Sequence, residues 1–252
     1  MNFMHLPETA STNTYLKELA VTSDIHGTAV YTWNQLSGYG RHGRYWFSDG
    51  ANSIAVSIGL KAPSDAEFAP MSIVAGLAVA QAISGFANLD VGLKWPNDIM
   101  LDGGKVCGIS CERISAEAGA YFVLGIGVNV NNAQFPNELA AVATSLFIKT
   151  GRKWSVQLLL NVIVDSVYAC YNRLCTEGFA PILADYRRLC INLGRDCVIL
   201  CGDRKFRGIA IDIDDTGCII LQKECGATEI FASGEVSLRC ADETGGYNAT
   251  GC

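Results

Sequence analysis

The chain has 252 residues, half of them apolar, and 19 lysines and arginines against 25 aspartates and glutamates give it a formal net charge of −6. A chain this long and this apolar buries roughly three quarters of its extended surface on folding, which excludes a disordered or miniature protein. No block of basic residues interrupts the acidic balance, which excludes a general binder of nucleic acid or of anionic membrane.

The 11 cysteines form no C-x-x-C pair and follow no signal peptide, so they are expected as reduced, mostly buried thiols of a cytoplasmic protein. His5, His26 and His42 are scattered, without the spacing of a zinc site. The apolar tract Ala69 to Ile83 is broken by Ser72, Gly76 and Gln81 and falls short of the ~20 residues of a membrane span. It is expected as a buried helix, with no membrane association.

In chain order, Ser11, Thr12 and Asn13 are favoured helix-capping types, and Tyr15, Leu16 and Leu19 follow at helical spacing. A strand is expected from Thr28 to Gln35, then the glycine and arginine run Gly38 to Arg44, then a hairpin turning at Ser48-Asp49-Gly50. The second arm of that hairpin alternates Ile54, Val56, Ile58 and Leu60, the pattern of a half-buried strand. The buried helix near residues 70–86 comes next. Val91 to Trp95 and Ile99 to Leu101 read as strand segments interrupted by Pro96, and Asp102-Gly103-Gly104 turns the chain into a strand from Lys105 to Glu112.

From Ala120 to Asn131, Phe122, Leu124, Ile126, Val128 and Val130 share one face, while Gly125, Gly127, Asn129 and Asn131 share the other. Glycine weakens a strand unless something must approach the backbone closely. With Gly108 in the preceding strand, the pattern predicts a flat ligand lying on the sheet.

Helices from Val156 to Thr176 and from Pro181 to Leu189 follow, and short alternating stretches between Asp196 and Arg239 predict a small β-barrel. The expected fold class is α/β (α+β), with a mixed, largely antiparallel sheet and flanking helices in a catalytic domain over residues 1–192. The C-terminal β-barrel covers 193–240, and 241–252 is a loose tail.

Gly38-Tyr39-Gly40-Arg41-His42-Gly43 matches G-x-G-x-x-G, but it leads through Arg44-Tyr45-Trp46-Phe47 into a hairpin rather than a helix, which argues against a dinucleotide site. Charge sets this run apart. Between Asp24 and Asp49 there is no acidic residue, while Arg41 and Arg44 fall inside the gap. Glycine N–H groups and arginine forks suit carboxylate and phosphate oxygens, although a solvated surface loop is the plain alternative. Lys94-Trp95-Pro96-Asn97-Asp98 and Lys105 add two lysines at the edge of the glycine-lined sheet, a pocket for anionic groups.

Several segments, in order, resemble the biotin protein ligases. Ser11-Thr12-Asn13 is similar to the S-T-N segment, and Gln35 to Trp46 to Q-x-x-G-R-G-R-x-G-R-x-W. Lys94 to Asp98 is identical to K-W-P-N-D, and Lys105 to Ile109 resembles K-L-A-G-I. Gly125 to Asn131 resembles G-I-G-I-N-V-N, and Gly234 to Arg239 resembles G-E-V-S-L-R.

The resemblance implies ATP-dependent formation of biotinyl-5′-AMP from biotin and MgATP, then transfer of biotin to a lysine of a biotin carboxyl carrier protein. It implies Arg41, Lys94 and Lys105 as catalytic cations. Ser11, Thr12, Asn13, Gln35, Gly38, Tyr39, Gly40, Arg41, Lys105, Gly108, Gly125 and Gly127 would surround biotin. Arg41, Arg44, Trp46, Lys94, Asn97 and Asn129 would lie on the nucleotide side, with Asp98 a candidate Mg²⁺ ligand. The Glu235 and Arg239 segment would serve ATP use or carrier docking.

One position departs from the pattern: Tyr39 stands where the family usually has the first arginine of G-R-G-R, and it cannot supply that cation. Only ten residues precede Ser11, so a monofunctional ligase without the DNA-binding domain of the repressor-type members is expected. A monomer and a homodimer both fit. Rival readings are a lipoate–protein ligase and a non-catalytic biotin-binding sensor.

Overall fold

Two strands that alternate along the middle of the sequence find each other at the centre of a sheet. The computed structural model describes residues 1–62, 71–232 and 234–238. Arg239 and the tail anticipated over 241–252 lie outside the described residues. The first half holds β1 (Asn2–Leu6), α1 (Thr12–Thr22), β2 (Thr28–Thr32), β3 (Ser53–Lys61), α2 (Met71–Ala87), β4 (Gly92–Lys94), β5 (Asp98–Leu101), β6 (Gly104–Ala116) and β7 (Gly119–Asn129). Three helices follow, α3 (Leu146–Thr150), α4 (Val156–Glu177) and α5 (Ala180–Leu189). Then come β8 (Asp196–Cys201), β9 (Arg204–Ile213), β10 (Ile219–Gln222), β11 (Thr228–Phe231) and β12 (Glu235–Leu238).

The first seven strands form one sheet in the order β1-β2-β3-β7-β6-β5-β4, antiparallel except for the parallel pair β1 and β2. On one face Ile54, Val56, Ile58 and Leu60 of β3 join Phe122, Leu124, Ile126 and Val128 of β7 in a core covered by α2, α4 and α5. Apolar on nearly every side, α2 is buried around most of its circumference. On the other face α1 packs Leu16 and Ala20 on Val30, Tyr121 and Val123. This helix starts over the middle of the sheet, so the part of β7 that carries Gly125 and Gly127 lies beyond its first turn.

The hairpin expected around Ser48-Asp49-Gly50 does not form. β3 pairs with β2 and β7 rather than with residues 44–47, and Ser53 to Leu60 are buried on both faces, which removes the half-exposed character read from its alternation. The connecting segment instead folds on itself through a bridge between Tyr39 and Tyr45, with one-turn 3-10 helices at Arg41–Gly43 and Gly50–Asn52.

The C-terminal strands form a five-stranded antiparallel sheet, β11-β10-β9-β8-β12. This sheet is the small C-terminal β unit anticipated from the sequence, with β11 and β12 as its two edges, unpaired with one another among the described residues. The junction with the first sheet is specific. Trp95 Nε1 donates to Gly217 O at 2.9 Å, Trp95 N donates to Asn192 Oδ1 at 2.7 Å, and Arg187 holds Asp212 at 2.8 Å.

Of the nine cysteines described, four are buried and three, Cys175, Cys201 and Cys225, are exposed. All nine are free thiols, but fewer are buried than expected, because Cys175 sits near the end of α4, Cys201 ends β8 and Cys225 lies in the turn between β10 and β11. Among the described residues no helix is long and apolar enough to cross a membrane.

Candidate active site

Strand register builds the floor of the site. Gly125 lies between Ser57 of β3 and Ser110 of β6, and Gly127 lies between Ala55 and Gly108. Two rows of very small residues therefore cross the three central strands on the face that α1 leaves open. A β-carbon at 125 would come within 2.5 Å of both Asn13 Oδ1 and Ser110 Oγ. At 127 it would overlap the Trp46 ring, and at 108 it would meet Trp46 Cζ3 at 2.9 Å.

One end of this floor is polar and uncharged. Ser11 caps α1 by accepting from Thr14 N, which leaves Thr12 and Asn13, both buried, in the first turn over the sheet. Asn13 Nδ2 donates to Ser110 Oγ at 3.0 Å, Ser57 Oγ donates to Thr12 Oγ1 at 2.7 Å, and Thr12 N donates to Gln35 Oε1 at 3.0 Å. The donors and acceptors are thus held in a fixed array before any ligand enters.

The other end is cationic. The segment from Gly38 to Trp46 is a small hairpin, closed by Gly40 N to Arg44 O at 2.7 Å and Trp46 N to Gly38 O at 2.9 Å. At its tip Arg41 Nη1 donates to Asn97 Oδ1 at 2.9 Å, and Asn97 Nδ2 in turn donates to Ile109 O at 2.8 Å. Burial lowers the Arg41 pKa, opposed by the charge of Asp98 and assisted by that of Arg44; the guanidinium stays charged. Lys105 Nζ lies 2.7 Å from Asp98 Oδ1 and 5.7 Å from the centroid of the Trp46 ring. Among the described residues, the buried Trp46 Nε1 and Asn129 Oδ1 have no hydrogen-bond partner, and Asp98 Oδ1 has its ion pair with Lys105 alone.

These groups surround a cavity of about 360 Å³, within the range of small-molecule sites. Every residue named from the sequence for the biotin or the nucleotide side lines it except Gly38. Gly38 stands behind the hairpin, where a side chain would collide with Gln35 Nε2 at 2.5 Å and Trp46 O at 2.9 Å, so its smallness serves the turn rather than a ligand. Lys94 and Arg44 reach the cavity wall from β4 and from the hairpin.

Sequence reasoning missed Ser57 and Ser110. Both fall on the glycine face by simple alternation with Ala55 and Gly108, a signal present but not used. It also missed the apolar wall of Phe135, Leu139, Val142 and Ala143, which comes from a loop without periodicity. Gly234 and Val236 bring the C-terminal sheet to the same cavity. Asp98 is the acidic residue of the lining, and among the described residues no three His, Cys, Asp or Glu side chains gather as a metal site.

Residues 6–129 match the model of the biotin/lipoate A/B protein ligase family, and residues 193–239 match the biotin protein ligase C-terminal domain. The biotin–[acetyl-CoA-carboxylase] ligase of Mycobacterium tuberculosis is 34% identical over 91% of this chain and 86% of its own length. The bifunctional ligase/repressor BirA of Bacillus spizizenii is 32% identical over 89% of this chain and 70% of its own length. Among solved structures, the biotin protein ligase of Aquifex aeolicus in complex with biotin and ATP superposes with a TM-score of 0.82 at 29% identity, over 94% of this chain and 98% of that one.

Proposed function

The chain belongs to the biotin/lipoate A/B protein ligase family and carries the biotin protein ligase C-terminal domain, and from that premise we propose that it is an ATP-dependent biotin–protein ligase acting on a biotin carboxyl carrier protein. The observation that carries this reading is one cavity with a neutral hydrogen-bonding end, a side-chain-free floor and a cationic rim. A bicyclic urea with an apolar tail and a terminal carboxylate has the same order of chemistry along its length.

In this reading Ser11, Thr12, Asn13 and Gln35 hold the urea, with Ser57 and Ser110 fixing their orientation. Gly108, Gly125 and Gly127 let the rings and tail lie on backbone, and Trp46 is the wall above them. Arg41 and Lys105 face the carboxylate and the α-phosphate, while Lys94, Arg44, Asn97 and Asn129 serve the nucleotide. Mg²⁺ arrives with ATP as part of that substrate, and Asp98 is, among the described residues, the lining carboxylate able to meet it.

In the first step a biotin carboxylate oxygen bonds to the α-phosphorus, and the bond to pyrophosphate breaks with its electron pair on the leaving group. Two anions must approach, so the barrier is electrostatic, and pre-set cations lower it without reorganising during the reaction. Asp98 and Asn97 keep Lys105 and Arg41 in place beforehand. In the second step the amine of the carrier lysine attacks the acyl carbon, AMP departs, and the amine proton is released to solvent.

The test is pyrophosphate release from ATP by the full chain, followed by the mass of an apo-carrier domain. Release that requires biotin, with a biotinyl mass gain on one lysine, is expected. Release driven by lipoate instead would make the chain a lipoate ligase, and tight biotin binding without release would make it a sensor.

A further inference from the structure

Tyr39, which occupies the position of an arginine in the family pattern, is joined to α1 at two side chains and through one of them to β6. Lys17 Nζ, on α1, donates to its hydroxyl at 3.2 Å, and Thr14 Oγ1 lies 3.3 Å from the same oxygen. Lys17 also reaches Glu112 Oε2 of β6 at 2.7 Å and stands 5.7 Å from the centroid of the Tyr39 ring. Burial works against the charge on Lys17, yet the hydrogen bonds to Glu112 and Tyr39 more than offset it and its pKa is raised.

A guanidinium at position 39 would press a second cation on Lys17, whereas a hydroxyl oxygen accepts from it. Two residues further along, Arg41 reaches Asn97 at 2.9 Å, so the hairpin is pinned once at its stem and once at its tip.

Resting on the ligase reading above, we propose that Tyr39 is a positioning residue: with Lys17 and Glu112 it ties the hairpin stem to α1 and β6, and so sets how long the activated acid stays beneath Arg41. Tyr39 lines the cavity but neither Lys17 nor Glu112 does, so whatever a change at Lys17 does to the bound acid passes through the hairpin. A fixed stem leaves only the tip to order when the site fills, which reduces the entropy lost on closure.

The experiment uses the full chain, biotin and MgATP. Biotinyl-AMP is allowed to form without carrier, and its escape into solution is timed, with KM for biotin and kcat of pyrophosphate release measured alongside. Lys17→Met and Tyr39→Phe are each expected to speed escape about fivefold to tenfold and to raise KM more than they lower kcat. The double variant is expected to be no worse than the more affected single one, because both changes break one network. Tyr39→Arg is expected to leak faster than Tyr39→Phe, and adding Lys17→Met to it to restore retention, since Glu112 is then open to the introduced guanidinium. A wild-type chain that forms no adenylate overturns the ligase reading and this inference with it. A wild-type chain that forms it, with variants that hold it equally long or with effects that multiply in the double variant, overturns the positioning role alone.

Discussion

The indole of Trp46 rests on the backbone of Gly127 so closely that a β-carbon at residue 127 would overlap the ring. Hairpin and sheet are thereby brought together where Gly108 and Gly127 lie side by side without side chains, and the height of the Trp46 wall is set by that contact. Gly127→Ala forces the ring upward, and overpacking of this kind costs about 1–3 kcal/mol. Biotin affinity measured by calorimetry should fall about tenfold, with a shift in tryptophan emission and an unchanged far-UV circular dichroism spectrum. An unaltered affinity would mean that biotin does not use this floor.

Lys105 is held 2.7 Å from Asp98 at the cavity rim. Lys105→Met removes the cation and strands the carboxylate, so biotin-dependent pyrophosphate release should slow on the order of a hundredfold. Asp98→Asn keeps the lysine but loosens its placement and is expected to slow the same step less. Rapid-quench measurement of the first turnover compares the two, and the reverse ranking would assign the larger role to the carboxylate.

Arg41 reaches Asn97 at 2.9 Å from the tip of its hairpin. Arg41→Ala should slow adenylate formation about tenfold or more, or release the adenylate before a carrier can take it. Asn97→Ala, which leaves the arginine in place without its hydrogen-bond partner, should show a weaker form of the same defect. Wild-type rates in both steps with no free adenylate would remove Arg41 from the site.

Asp214 organises the turn whose Gly217 carbonyl receives Trp95 Nε1. Its Oδ1 accepts from Thr216 N at 2.9 Å and from Cys218 N at 3.0 Å. Burial would raise its pKa, but these bonds together with that from the Thr216 hydroxyl outweigh the effect and the pKa is lowered. A carboxyl with a depressed folded-state pKa adds stability that is full above its ordinary value near 3.8 and is lost as pH falls through the folded one. Melting temperature followed from neutral to acid should therefore drop less steeply in Asp214→Asn than in the wild type, and the variant should already melt lower at neutral pH. Parallel acid profiles would show that the turn contributes nothing to the titration.

Much of the site was legible because its residues declare themselves by what they lack. Gly125 and Gly127 in an otherwise apolar strand mark a place where backbone stays bare, and the acid-free stretch around Arg41 and Arg44 marks the cationic rim of the cavity. The hairpin at Ser48-Asp49-Gly50 misled because turn residues there resemble those of a strand connection, while the partners of β3 were strands far away in sequence. β1 was missed because it is a short edge strand whose exposed face carries the apolar Phe3, so the half-buried Met4 and Leu6 do not stand out from their neighbours in the sequence. The Lys17–Tyr39 contact was out of reach: 22 residues separate the two, and only the packing of α1 on the sheet makes them neighbours.

Trp95 sits inside the lysine-bearing segment of the cavity, yet its ring nitrogen is satisfied by a carbonyl from the turn between β9 and β10. The C-terminal sheet is for that reason not an interchangeable part. A chimera that grafts the corresponding strands from a relative must bring a turn of matching length and shape, or the tryptophan beside Lys94 loses its anchor along with the graft.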